Sequence, residues 1–127
     1  MGIDEQKRTV REWIEAAINR GDLDQAAELS TERAARLTRA WVPPFRAAFP
    51  DVHMQEVELI GEGETVVGRF TCSATHSGEW RGRAPTGRRF EDVDEVYFFR
   101  FEGEKIRDFW GIEDTASRLR QLGLEID

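Results

Sequence analysis

At His53 the apolar pattern of this 127-residue chain changes period, and that switch limits the folds open to it. Before it, Val10, Trp13, Ile14, Ala17 and Ile18 follow the i, i+3, i+4, i+7, i+8 spacing of one helix face. After it, residues 53–60, 65–76, 90–101 and 105–113 are rich in β-branched and aromatic side chains. Glycine-bearing turns separate them at 61–63, 78–87 and 103. Helices followed by a run of antiparallel strands predict an α+β fold.

The helical half carries its own punctuation. Asp4 is an N-cap candidate for the first helix and Gly21 a stop. Asp22, with Gln25 three residues on, starts a short second helix in the manner of a capping box. A third runs from about Thr31, with Leu37, Trp41, Phe45 and Phe49 at rough helical spacing. Pro43 and Pro44 are expected to break or kink it near Trp41, and Pro50 to end it. With no repeat, low-complexity tract or linker, residues 1–127 read as one domain.

Charge and composition remove several function classes. A net charge of -7 argues against nucleic-acid binding, which needs a basic face. No apolar run approaches the roughly 20 residues of a membrane helix, and no signal-peptide pattern opens the chain, so no membrane partner is expected and the cytoplasm is the default compartment. Cys72 is the sole cysteine, which rules out an intrachain disulfide and reads as a small buried hydrophobe. Two histidines and one cysteine, widely spaced, give no zinc pattern, and no glycine-rich dinucleotide motif follows a strand. The sequence therefore calls for no metal and no cofactor.

The last hairpin sets the candidate site. A three-residue loop at Gly103-Glu104-Lys105 would pair Arg100 with Asp108, Phe98 with Trp110, Val96 with Ile112 and Asp94 with Asp114, all on one face. A two-residue loop would bring the other face together. The first register is preferred, because Tyr97, Phe99, Phe101 and Phe109 would then form an apolar face for the helices. The mixed face, with its carboxylates and Trp110, would line a pocket.

Several motifs share their order and spacing with one family. They are Phe49-Pro-Asp51, Gly63 to Arg69, Thr75-His-Ser-Gly-Glu79, Pro85-Thr-Gly-Arg88, Phe99-Arg-Phe-Glu-Gly103 and Phe109-Trp-Gly-Ile-Glu-Asp114, continuing to Gly123. On these the chain resembles the SnoaL-like polyketide cyclases of the nuclear-transport-factor-two-like superfamily. The resemblance implies a cone-shaped α+β barrel, with a curved, mainly antiparallel sheet covered by N-terminal helices, and a homodimer. It also implies that Asp114 is the acid/base of an aldol ring closure. Arg100 falls where the cyclases carry a histidine, and the strand that usually follows the second helix is missing after Leu29.

The residues then divide into roles. Asp114 among Trp110, Phe98 and Ile112 would lose solvation and move protons at a carbonyl; as Asp-Thr before a helix it also reads as a plain N-cap. Arg100 could steady an enolate or pair with Asp108. His76 is an assisting acid/base or a satisfied strand-end histidine. Trp80, Trp13 and Trp41 complete the expected substrate contacts. The arginines of residues 80–89 read as an anion site, as a cover for the pocket mouth, or as a solvated turn. The expected activity is cofactor-free acid/base chemistry on an apolar, carbonyl-bearing small molecule, by cyclisation or a related isomerase or hydrolase reaction. The rival is a ligand-binding or dimerisation module of the same fold.

Overall fold

The computed structural model describes residues 1–126. Helices α1 (Ile3–Trp13), α2 (Leu23–Glu28) and α3 (Glu32–Ala48) precede strands β1 (His53–Glu62), β2 (Thr65–Thr75), β3 (Arg89–Glu102) and β4 (Lys105–Glu113), and α4 (Thr115–Leu122) follows. The strands form one curved antiparallel sheet in the order β1-β2-β3-β4. The helices cover its inner face, where Trp13, Phe49, Phe70, Phe90, Phe99 and Phe101 are buried in one core. Among the described residues no helix is long and apolar enough to cross a membrane.

Helix α1 does not stop at Trp13 but widens into a π-helical turn, Ile14–Asn19. The wider turn lets Ile14, Ala16, Ala17 and Ile18 all be buried. Asn19 fastens it to β1: its side-chain amide donates to the Met54 carbonyl at 3.2 Å and its Oδ1 accepts the Met54 N–H at 2.7 Å. Gly2, not Asp4, is the N-cap of α1; Asp4 sits in the first turn, where its carboxylate still meets the positive end of the helix dipole. Asp22 caps α2 as expected, accepting the Gln25 N–H at 3.1 Å.

Helix α3 runs unbroken through Pro43 and Pro44, contrary to the expected break. The two missing N–H groups would have served the carbonyls of Arg39 and Ala40. Both residues are exposed, so water can take their place. After Leu29, a single bridge to β4 replaces an extra strand. Ile106 N–H donates to the Leu29 carbonyl and Thr31 N–H to the Ile106 carbonyl, both at 2.9 Å.

The β3–β4 hairpin combines both turn readings. It closes on a two-residue turn, Glu102 facing Lys105 and Phe101 facing Ile106. Arg107 is then an extra residue, and beyond this bulge Arg100 faces Asp108, Phe98 faces Trp110 and Val96 faces Ile112, in the expected register. Without the bulge, the parity that buries Ile106 would turn Asp108 and Trp110 inward and Phe109 outward. With it, Ile106, Phe99 and Phe101 are all buried on the inner face.

Candidate active site

The pairing was legible, but the face that holds the cavity is the opposite of the one expected. A cavity of about 550 Å³ opens between the helices and the inner face of the sheet, within the usual size of a small-molecule pocket. Ile18 from the π-helical turn, Trp41 and Phe45 from α3, Met54 from β1 and Phe109 from β4 form its apolar wall. Tyr97 and Gly111, directly paired across β3 and β4, form part of its floor. Gly111 is glycine for a reason of space: a Cβ there would overlap the Tyr97 ring. Trp41 and Phe45 on α3 stay only partly buried because they border this opening rather than solid core, while Leu37 of the same stripe is exposed.

The polar end of the cavity is built on a cross-strand pair. Glu95 and Glu113 face each other at inward positions of β3 and β4. Arg118, on the buried side of α4 with Leu119 and Leu122, reaches between them. Its Nη2 donates to Glu95 Oε2 at 2.6 Å, and its Nη1 lies 2.8 Å from Glu113 Oε1. The guanidinium also lies over the Phe90 ring at 4.7 Å. The Tyr97 hydroxyl donates to Glu95 Oε1 at 2.6 Å.

The two carboxylates live in different surroundings. Glu95 is 2% exposed and has both oxygens engaged. Burial pushes its carboxyl above the ordinary range; Arg118 pulls it back, the nearby Glu113 charge pushes it up again, and burial wins. Burial likewise leads in pushing the Tyr97 phenol well above its usual value, with the Glu95 carboxylate adding to it. For Arg118, burial disfavours the charge, but Glu113 and Glu95 outweigh it and hold the guanidinium protonated. Glu113 borders the cavity with its side chain 22% exposed. Its Oε1 is fixed by Arg118, by the Thr115 hydroxyl at 3.3 Å and, farther off, by Arg81 at 3.7 Å. Its Oε2 takes part in none of these contacts.

The residues singled out in the sequence scatter around this cavity. Asp114 is exposed and caps α4, its Oδ1 accepting the Ser117 N–H at 3.0 Å, outside the cavity lining. Of its two expected roles, the N-cap is the one visible in the geometry. Arg100 is on the outer face, 4.0 Å from Asp108. Phe98 is there too, with its ring 5.6 Å from Trp110. Trp110 and Ile112 touch the cavity rim but are each 60% exposed. Trp41 does line the cavity. Trp13 is core, packed between Phe99 and Phe109. Trp80 is buried against Phe49, outside the lining. His76 is wholly buried; its Nδ1 accepts the Thr86 N–H at 3.2 Å and its ring packs on Phe49, away from the cavity. Cys72 is buried, as expected. Among the described residues no group of histidine, cysteine and carboxylate side chains has metal-binding geometry.

The sequence reading missed Glu95, Tyr97, Glu113 and Arg118. Their signal was present. Glu95 and Glu113 share the inward parity of Tyr97, Phe99 and Phe109, so they are charges on an otherwise apolar face. Arg118 likewise interrupts the apolar side of the last helix.

Residues 8–122 match the family described as SnoaL-like polyketide cyclase. The aklanonic acid methyl ester cyclase DnrD of Streptomyces peucetius is 30% identical over 107 residues, which are 84% of this chain and 71% of DnrD. AclR of Streptomyces galilaeus, a candidate hydroxylase, has a similar structure, with a TM-score of 0.85 at 26% identity over 99% of this chain and 85% of AclR. IdmH of Streptomyces antibioticus, a candidate polyketide cyclase, gives a TM-score of 0.79 at 29% identity over 94% of this chain and 99% of IdmH.

Proposed function

This chain belongs to the SnoaL-like polyketide cyclase family, and on that premise we propose that it closes a ring in an aromatic, carbonyl-bearing small molecule by cofactor-free acid/base chemistry. The observation that carries this reading is the Glu95–Arg118–Glu113 bridge at the end of an apolar cavity. Glu113 is the working carboxylate: one oxygen is anchored and the other is left for a ligand. It takes a proton from the carbon beside a carbonyl, and the resulting enolate carbon attacks a second carbonyl carbon of the same molecule. The alkoxide so formed takes the proton back from Glu113. One C–C bond forms, the proton ends on oxygen, and the balance needs no redox partner. A carboxylate is a modest base, so the C–H acid must be doubly activated, as between two carbonyls.

Supporting groups divide the remaining work. Arg118 orients Glu113 and keeps its charge partnered. Glu95 and Tyr97 hold that arginine and the cavity floor in place. Trp41, Phe45, Phe109 and Met54 exclude water and favour a flat apolar substrate.

A homodimer belongs to the same proposal. On the outer face, Ile60, Val67, Phe98 and Trp110 are register partners across all four strands and form one apolar row. Ile60 and Trp110 are 59% and 60% exposed, which favours burial against a second copy. The cytoplasm remains the proposed compartment on the sequence pattern alone.

The test uses the substrate class in the name of DnrD. Aklanonic acid methyl ester and simpler aromatic β-ketoesters are incubated with the purified chain without additives, and products are followed by liquid chromatography and mass spectrometry. The reading predicts a product of unchanged mass and altered retention. No conversion and no binding across the series would refute it.

A further inference from the structure

We infer that Arg81 is a specificity residue that docks a carboxylate carried by the aromatic ligand at the cavity mouth; this rests on the ligand-cavity reading above. Among the described residues lining the cavity, Arg81 is the one arginine or lysine. It occupies an expensive backbone position. Trp80 and Arg83 pair through reciprocal backbone hydrogen bonds of 3.0 and 2.9 Å, closing a two-residue turn on Arg81 and Gly82. Both central residues have positive φ, 51° and 80°. Such a turn favours asparagine or glycine, and arginine there is strained.

The turn aims this side chain rather than leaving it to wander. Trp80 is buried against Phe49 and anchors the turn, and the Arg81 guanidinium stacks on its ring at 4.8 Å. This fixes one face of the fork, on a side chain that lines the cavity. The protein satisfies its N–H groups poorly. Its ion partner, Glu113 Oε1, is 3.7 Å away, beyond a good hydrogen bond, and is already held by Arg118. The Arg81 side chain is 59% exposed. A planar fork with open N–H groups at the rim of an aromatic-walled cavity matches the two oxygens of a carboxylate.

The experiment measures the affinity of 2-naphthoate and of methyl 2-naphthoate by quenching of tryptophan fluorescence at pH 8, in the wild-type chain and in Arg81→Asn. Asparagine tolerates positive φ, so this variant is expected to keep its melting temperature. The inference predicts that the wild type binds the acid about fivefold or more tightly than the ester, and that Arg81→Asn loses this preference. Equal affinities in the wild type, or a preference that survives in Arg81→Asn, overturn the inference and leave the cavity reading intact. The wild-type comparison decides even if the variant does not fold. Binding of neither probe overturns both.

Discussion

Glu95 and Glu113 stand directly opposite each other on β3 and β4, and one buried guanidinium, Arg118, bridges them. Two neighbouring carboxylates on an inner sheet face would repel; the arginine lets both remain there. Arg118→Met should therefore cost about 3–5 kcal/mol, because it strands two charges in a place with little water. Urea denaturation measures this, and Glu95→Leu with Arg118→Met together should recover part of the loss.

Glu95 also makes stability depend on pH. Its carboxyl is raised in the fold, so the folded state holds the proton more tightly than the unfolded chain. The contribution is complete below the ordinary value of 4.5 and is lost as pH rises through the raised one. Glu95→Gln should remove this component. The difference in urea midpoint between wild type and variant should change steadily from pH 4.5 upward, in the direction of a relatively weaker wild type; a constant difference would contradict the shift.

His76 should titrate below the ordinary histidine value of 6.5, because burial disfavours its charged form more than a nearby backbone contact at Gly78 favours it. Ring-proton shifts followed by NMR across pH 4–8 check this. A midpoint at or above 6.5 would mean that the ring is not buried as described.

Gly111→Ala should displace the Tyr97 ring from the cavity floor. We expect a loss of about 1–3 kcal/mol by thermal melting, as for other overpacked sites. Loss of turnover should accompany it, because the Tyr97–Glu95 hydrogen bond goes with the ring.

Trp110→Asp should convert the proposed dimer to a monomer and leave the core intact, because Trp110 is 60% exposed and touches only the cavity rim. Light scattering coupled to gel filtration reads the mass directly. A wild-type monomer at micromolar concentration would remove the dimer from the account.

Much of this architecture was legible because its signals are local. The switch of period at His53, the cap at Asp22, the start of the third helix near Thr31 and the pairing of Phe98 with Trp110 all follow from nearby residues. The side of the hairpin that holds the cavity was not: Tyr97, Phe99, Phe101 and Phe109 face the helices as expected, but the cavity opens on that apolar face rather than on the mixed one. The bulge at Arg107 kept the expected partners, and Glu95 and Glu113 share the inward parity of Tyr97 and Phe109. The unbroken α3 escaped for another reason: the cost of Pro43 and Pro44 depends on whether the freed carbonyls meet water, which is a tertiary fact. Asp114 drew attention as a motif residue, and its capping role was visible in Asp-Thr before a helix. The buried partner of its neighbour Glu113 lies four residues beyond it, at Arg118.

The sharpest test sets these two adjacent acids against each other. Glu113 faces the cavity, and Asp114 faces solvent and caps α4. Using an aromatic β-ketoester that the wild type cyclises, kcat is measured for Glu113→Gln and Asp114→Asn, with folding checked by circular dichroism. The account predicts a fall of about 10²–10⁴-fold for Glu113→Gln. Asp114→Asn should keep a rate near that of the wild type, because asparagine caps a helix as well as aspartate. The reverse pattern, with Asp114→Asn inactive and Glu113→Gln unimpaired, would contradict it.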